Sequence, residues 1–226
     1  MEPKMVINCL FVDLGNVLFK IDHLRANKNL ANLGLRVRFA PDNDPLYPAV
    51  ELLEVGSITP EKLLEMEKNQ YQVADTMPDD NIIIATFNSI LDPKGFMVDR
   101  LQYLKNLKER APELKIYLLS NTNEIHIKYI HDQAKEQGVN HLFGDDKSNG
   151  LFTDRLFSCR LKARKPEPLI FLQACDIAGT SPNDCLFIDD NHENILSAMS
   201  LGINTIELKT TDLNSFANAV EEFISR

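Results

Sequence analysis

The chain has 226 residues, of which 44% are hydrophobic and 25% are charged, and its formal net charge is −9. This balance is typical of one globular domain or of a core with a modest insertion, and it excludes a disordered, collagen-like or coiled-coil chain. The negative charge argues against nucleic acid or an anionic membrane as the main partner, because both need clustered Lys and Arg. A small phosphorylated ligand is still compatible, since a local cation and a metal ion can override the overall sign.

The cysteines and the N-terminal sequence indicate a cytoplasmic protein. Cys9, Cys159, Cys175 and Cys185 show neither CxxC pairing nor a histidine at ligand spacing, so we expect reduced cysteines, not disulfides or zinc ligands. The apolar run over residues 6–12 is too short and too polar for a signal sequence or a membrane span. No long exposed apolar stripe stands out, which favours a monomer.

Short apolar runs alternate with helical patterns along most of the chain. Residues 6–12, 116–119, 156–157 and 185–188 read as buried strands. Apolar residues at helical spacing over 98–107, 125–130, 195–199 and 213–224 predict the helices between and after them. This alternation predicts an α/β fold with a doubly wound parallel sheet.

Residues 21–94 interrupt the alternation and read as an all-helical insertion. Leucines recur at helical spacing there, with Pro-rich loops at 41–48 and near Pro78. Thr59 followed by Pro60 predicts a helix start, with Thr59 as the N-cap. On periodicity alone, these helices could also belong to a single domain.

Three of the predicted strands end in polar residues. Asp13 follows the first, Ser120 and Asn121 the second, and Asp189 and Asp190 the third. Ligands of open α/β sheets bind outside the carboxyl ends of the strands, so we expect these groups to meet there. Each alone could be a helix N-cap, but a cluster of acids calls for a cation, and oxygen ligands favour Mg²⁺.

Four motifs in order give the chain a resemblance to the phosphatases of the haloacid dehalogenase (HAD) superfamily. They are Asp-Leu-Gly-Asn-Val from Asp13, Leu-Ser-Asn-Thr from Leu119, Arg-Lys-Pro-Glu from Arg164 and Asp-Asp-Asn-His-Glu-Asn from Asp189. Their form is most similar to sugar-phosphate phosphatases of the α-D-glucose-1-phosphate phosphatase type. The resemblance implies a Rossmann-like core over residues 1–20 and 95–226, with a helical cap over residues 21–94 closing on the site.

The resemblance also implies a function: Mg²⁺-dependent hydrolysis of a small phosphorylated metabolite, with a sugar phosphate favoured. Asp13 would attack phosphorus and form an aspartyl-phosphate. Ser120, the Asn121 N–H and Lys165 would hold the phosphoryl group. Asp13, the Gly15 carbonyl and Asp190 would bind Mg²⁺. Asp189 and Asn194 would orient Lys165 or metal-bound waters.

Gly15 departs from the pattern of most phosphatases in this superfamily, which carry a second Asp two residues after the nucleophile. That Asp protonates the leaving oxygen, an effect usually worth about 10²–10⁴-fold. Three explanations are open: a leaving group that needs little protonation, a substitute such as Asp22 or His23, or slow or lost hydrolysis. The sugar-phosphate phosphatases that the chain resembles also carry Gly here, which favours an active enzyme.

Two other functions fit parts of the pattern. A hydrolytic dehalogenase on the same scaffold also lacks the second Asp, but it needs no metal and should not carry Asp189 with Asp190. A phosphate-binding module with little activity would keep the site but lose rate through Gly15.

Of the lesser candidates, His126 and His131 are more often packing or surface residues, Asn123 has no firm role, and Glu54, Gly56 and Thr59 resemble a common cap segment.

Overall fold

A computed structural model of the chain describes residues 7–35, 39, 49–70, 77–143, 150–209 and 212–224. The predicted strand start at Val6 and the Pro-rich stretch 41–48 lie outside these residues. The described strands are β1 (Cys9–Val12), β2 (Phe19–Ile21), β3 (Leu91–Phe96), β4 (Lys115–Ser120), β5 (Asp154–Phe157), β6 (Cys185–Asp189) and β7 (Asn204–Glu207).

The main sheet is parallel and has the order β5-β4-β1-β6-β7 among the described residues. β1 lies in its centre, with Val12 level with Leu118 of β4 and Ile188 of β6. Side chains alternate between the two faces, as the period of a strand requires. Leu10 and Val12 join one hydrophobic cluster, whereas Cys9 and Phe11 join the other. Buried on both faces, these strands read as continuous apolar runs, which is why the sequence predicted a parallel sheet.

The core helices cover both faces of this sheet. They are α5 (Val98–Arg110), α6 (Glu124–Glu136), α7 (Asn140–Phe143), α8 (Ser158–Leu161), α9 (Pro168–Ala178), α10 (His192–Ser200) and α11 (Leu213–Ile224). Residues of α5, α6 and α11 pack in the cluster that contains Val12, and residues of α9 and α10 pack in the other. The doubly wound α/β core predicted from the sequence is therefore confirmed. Helices on both faces shield the sheet and leave its carboxyl edge free for polar side chains.

Among the described residues between β2 and β3, four α-helices are present: α1 (His23–Asn32), α2 (Ala49–Glu54), α3 (Pro60–Gln70) and α4 (Asp80–Phe87). α3 begins at Pro60, and its Lys62 N–H donates to Thr59 Oγ1 at 3.3 Å, so the predicted start and cap are confirmed. β2 and β3 pair antiparallel at the two ends of this segment. The chain therefore leaves the core along β2 and returns to it along β3, and these two strands pair with each other. The status of the segment as a separate cap domain stays a prediction.

The four cysteines are buried and free, as the sequence predicted. No helix in the described part of the chain is long and apolar enough to cross a membrane.

Candidate active site

The carboxyl ends of β1, β4 and β6 bring the predicted polar residues together. Because Val12 is level with Leu118 and Ile188, Asp13 is level with Leu119 and Asp189. The Asp13 N–H donates to the Ile188 carbonyl at 2.9 Å, which continues the strand pairing by one residue. Asp13, Ser120, Asn121, Lys165, Asp189, Asp190 and Asn194 all line one cavity of about 350 Å³.

Lys165 is the cation at the centre of this cluster. It is 2% exposed, and its Nζ donates to Asp13 Oδ1 at 2.6 Å, Asp189 Oδ2 at 2.6 Å and the Leu119 carbonyl at 2.9 Å. Burial alone would lower the pKa of Lys165, but the carboxylates of Asp13 and Asp189 raise it above its ordinary value. The ammonium therefore stays charged, with three acceptors for its three donors.

Asn121 holds the backbone of Lys165 with its side chain. Its Nδ2 donates to the Lys165 carbonyl at 2.7 Å, and its Oδ1 accepts from the Lys165 N–H at 2.8 Å. This pair of hydrogen bonds links the end of β4 to the loop that carries the lysine. The role predicted for the Asn121 N–H in holding a phosphoryl group stays a prediction.

Hydrogen bonds from neighbouring residues hold the carboxylate of Asp189 in place. Both of its carboxylate oxygens accept from Asn194 Nδ2 at 3.1 Å, and Oδ1 also accepts from the Asn191 N–H at 2.8 Å. With Lys165 on Oδ2, the carboxylate is fully hydrogen-bonded. This arrangement suits the supporting position that the sequence predicted for Asp189 and Asn194.

Three carboxylates gather here around one lysine. Oxygens of Asp13, Asp189 and Asp190 lie within 4.8 Å of one another. Burial raises the pKa of Asp13 to about 7, helped by Asp189 and Asp190 and opposed by Lys165. Burial likewise raises the pKa of Asp190. The excess negative charge and the all-oxygen donor set fit a hard divalent cation such as Mg²⁺, which would relieve this repulsion.

The turn after β1 aims its groups at the same place. Asn16 adopts a left-handed backbone with φ 53°, a conformation that Asn tolerates better than most residues. Its Nδ2 donates to Asp190 Oδ2 at 3.1 Å, and its Oδ1 accepts from the Ile21 N–H at 3.2 Å. Gly15 precedes it and also lines the cavity. Sequence analysis missed the contact of Asn16 with Asp190, for which the motif spacing alone carries no signal.

Residues from the segment between β2 and β3 also line the cavity, among them His23, Phe39, Glu54 and Ile90. Arg164 lines the same cavity and donates to Glu51 Oε1 at 3.0 Å and Glu54 Oε2 at 3.1 Å. The sequence analysis gave Glu54 only a resemblance to a common cap segment and gave Arg164 no role of its own. Their pairing joins distant parts of the chain, so neither spacing nor composition could reveal it.

The lesser candidates divide between the cavity wall and other positions. His126 lines the cavity and stacks on Phe87 with 4.8 Å between ring centroids, whereas His131 contacts Phe143 and does not line this cavity. Asn123 is the N-cap of α6. Asp22 caps α1 by accepting from the Arg25 N–H at 2.9 Å and does not line the cavity. Of the two substitutes predicted for the missing acid, only His23 reaches the cavity.

Solved structures share this architecture over nearly the whole chain. A HAD-family enzyme of Bacteroides thetaiotaomicron in complex with magnesium is 29% identical, with a TM-score of 0.75 over 94% of this chain and 98% of that chain. The same enzyme is also known in complex with magnesium and inorganic phosphate, with a TM-score of 0.74. A predicted HAD-like hydrolase of Porphyromonas gingivalis has a TM-score of 0.71 at 21% identity, which shows the fold alone.

Sequence comparison also relates the chain to known proteins. The flavin mononucleotide hydrolase 1 of Arabidopsis thaliana is 34% identical over 55 residues, which are 24% of this chain and 22% of the plant protein. The family model of haloacid dehalogenase-like hydrolases matches residues 7–202, a span that contains all four motifs. The chain therefore belongs to the haloacid dehalogenase-like hydrolases.

Proposed function

We propose that this hydrolase is a Mg²⁺-dependent phosphatase of a small phosphorylated metabolite, with Asp13 as the nucleophile. The observation that carries the proposal is the position of Lys165 between Asp13 and Asp189, with the carboxylate of Asp190 in the same acid cluster. A lysine and an oxygen-only acid cluster at one point suit a phosphoryl group and a hard cation together. The relative that binds magnesium and phosphate supports the same chemistry.

The chain's own side chains account for the two steps. Asp13 attacks phosphorus as the leaving oxygen departs, and the resulting aspartyl-phosphate is then hydrolysed by water. Lys165 Nζ donates to Asp13 Oδ1 and would hold the carboxylate in place for the attack. The Ser120 hydroxyl and the Asn121 N–H donate to the phosphoryl oxygens, and Lys165 neutralises their charge. Asp13, the Gly15 carbonyl and Asp190 would hold Mg²⁺, which would supply further positive charge to the phosphoryl group.

The substrate class follows from the cavity. Its volume of about 350 Å³ suits a small metabolite, and its lining combines apolar side chains with Glu54 and Arg164. A sugar phosphate, with apolar ring faces and polar hydroxyls, is the class we favour. The flavin mononucleotide hydrolase match covers too little of the chain to extend its substrate here.

Phosphate release from a panel of sugar phosphates, nucleotides, phosphoglycolate-type acids and acyl phosphates tests the proposal. We expect wild-type turnover to stop with EDTA and to return with Mg²⁺. Asp13→Asn should lower kcat on the order of 10³-fold or more, because it removes the attacking carboxylate. The exposed Asp176→Asn on α9 is the matched control and should keep full activity.

Two outcomes would favour the other functions. Metal-independent release of halide from a haloacid would identify a dehalogenase. Phosphate binding with no Asp13-dependent turnover on any substrate would identify a binding module.

A further inference from the structure

The first turn after β1 holds no proton donor for a leaving group. A Cβ built on Gly15 would lie 3.8 Å from Asp13 Oδ2 and 3.0 Å from Ile21 Cδ1. A side chain at this position would therefore stand beside the nucleophile, and the glycine leaves that place empty of an acid. If the enzyme cleaves ordinary phosphate esters, the acid comes from another part of the cavity wall.

Most titratable side chains of the wall are occupied or cannot donate. Asp13 and Asp189 bind Lys165, and Asp190 accepts from Asn16 and belongs to the acid cluster. His126 is buried, which lowers its pKa to about 3 and keeps the imidazole neutral. Within the described part of the cavity wall, the remaining histidine and carboxyl side chains are His23, whose ring meets Phe39 edge-on, and Glu54.

Glu54 has the surroundings of a carboxyl that can hold a proton. Its side chain is 14% exposed, and Arg164 Nη2 donates to its Oε2 at 3.1 Å. Burial raises the pKa of Glu54, Arg164 and Lys165 oppose this rise, and the nearby Glu51 adds to it. A substrate phosphate in the same cavity would add negative charge and favour the protonated form further.

Arg164 also fixes the position of this carboxyl relative to the nucleophile. Arg164 directly precedes Lys165, whose Nζ contacts Asp13. The guanidinium holds Glu51 and Glu54 from the end of α2, so Glu54 is joined to the lysine loop by a charged hydrogen bond. Oε1 of Glu54 has no hydrogen-bond partner among the described residues, which leaves it available to a substrate.

We propose that Glu54 is the general acid and base that replaces the aspartate absent at position 15. This rests on the phosphatase function proposed above. As the P–O bond to the leaving group breaks and Asp13 bonds to phosphorus, the Glu54 carboxyl transfers its proton to the leaving oxygen. The Glu54 carboxylate then takes a proton from the water that attacks the aspartyl-phosphate, which releases inorganic phosphate and restores both carboxyl groups.

The test compares Glu54→Gln with wild type on esters whose leaving groups differ in their need for a proton. kcat/KM reports only the steps up to departure of the leaving group. For a sugar or alkyl phosphate we expect Glu54→Gln to lower kcat/KM by about 10²–10⁴-fold, and for p-nitrophenyl phosphate or acetyl phosphate by less than about tenfold. Glutamine keeps the size and the Arg164 contact but cannot donate a proton as an acid.

Two further variants separate the loss of a proton donor from the loss of a carboxylate partner of Arg164. Glu51→Gln removes the other, more exposed carboxylate on Arg164, and we expect the ratio between the two classes of ester to stay at the wild-type value. Glu54→Asp retracts the carboxyl by one methylene, and its ratio should fall between those of wild type and Glu54→Gln. It carries the test if Glu54→Gln does not fold.

Several results would overturn the role of Glu54. These are an equal loss on all esters, no loss on any, or a leaving-group-dependent loss in His23→Asn that is absent from the Glu54 variants. If wild type shows no Asp13-dependent release at all, the phosphatase function and the role of Glu54 both fail. If release depends on Asp13 but the ratio does not depend on Glu54, only the latter fails.

Discussion

The behaviour of single residues at this site depends on how a buried lysine is kept in place. An ammonium out of water is costly unless its donors are satisfied, and Lys165 finds two carboxylates and one carbonyl. Two hydrogen bonds with the Asn121 side chain also hold the backbone N–H and carbonyl of Lys165 in place. The motif order predicted that Asn121 would lie at the site, but only the folded chain shows that its side chain holds the lysine loop.

Asn121→Ala should destabilise the protein and slow it. The change leaves the N–H and the carbonyl of Lys165 without their partners, at a cost of about 1–3 kcal/mol in the free energy of unfolding. We also expect a lower kcat/KM, because Lys165 loses its fixed position. Urea unfolding and phosphate release measure the two effects.

Asn106→Ala, on an exposed turn of α5, is the control. It should change the free energy of unfolding by no more than about 0.5 kcal/mol. Equal stability of the Asn121 and Asn106 variants would contradict the role given to the Asn121 side chain.

At the scale of elements, the segment between β2 and β3 is docked on the core loop that precedes Lys165. Arg164 pairs with α2, and Lys162 Nζ donates to the Gly56 carbonyl at 2.6 Å. Gly56 has φ +60°, and a Cβ there would lie 2.3 Å from the Cys159 carbonyl oxygen of α8. The backbone of this segment therefore packs directly against the core, without a side chain between them.

Gly56→Ala should separate these surfaces. Left-handed backbone costs a non-glycine residue about 1–2 kcal/mol, and the contact with a backbone oxygen adds an overpacking cost of about 1–3 kcal/mol. Gly138→Ala is the matched control, since Gly138 has φ +69° but nothing within 4 Å of its added Cβ. We expect the Gly56 variant to lose more free energy of unfolding in urea. Equal losses of unfolding free energy in the two variants would contradict a destabilising contact between the added Cβ and the Cys159 carbonyl oxygen.

Three of the described strands were not predicted from the sequence. β2, β3 and β7 have three, six and four residues, and none forms a long apolar run. β2 pairs with β3, which lies far from it in the sequence, and β7 pairs with β6 at the edge of the main sheet. Local pattern carries little information about such strands, since their stability comes from tertiary pairing.

At the scale of the whole molecule, a buried neutral histidine couples stability to pH. His126 is 6% exposed, contacts Phe39 and Phe87 and shares a hydrogen bond of 3.1 Å with Asn123 Nδ2. Burial, with a smaller contribution from the nearby His23, lowers its pKa from an ordinary 6.5 to about 3. Because the unfolded chain binds this proton more readily, the contribution is complete above pH 6.5 and is lost as pH falls toward 3.

We therefore expect wild type to lose about 2 kcal/mol of unfolding free energy from this group between pH 7.5 and pH 5. His126→Phe should be less sensitive to pH over this interval, even if its stability at pH 7.5 is lower because Asn123 loses a partner. Urea denaturation of both proteins at the two pH values measures the difference. Parallel losses in wild type and variant would contradict the assignment.

The sequence by itself determined the parallel core and the meeting of Asp13, Ser120, Asp189 and Asp190. Buried strands must be apolar, and parallel strands end at one edge, so both features are written in local pattern and order. Only the tertiary structure decided what surrounds them. The three acceptors of Lys165, the side-chain bonds of Asn121 and the pairing of Arg164 with Glu54 join residues far apart in the chain. The first two depend on which strands neighbour β1 in the sheet. The third depends on how the segment between β2 and β3 docks on the loop before Lys165. No local periodicity encodes either arrangement.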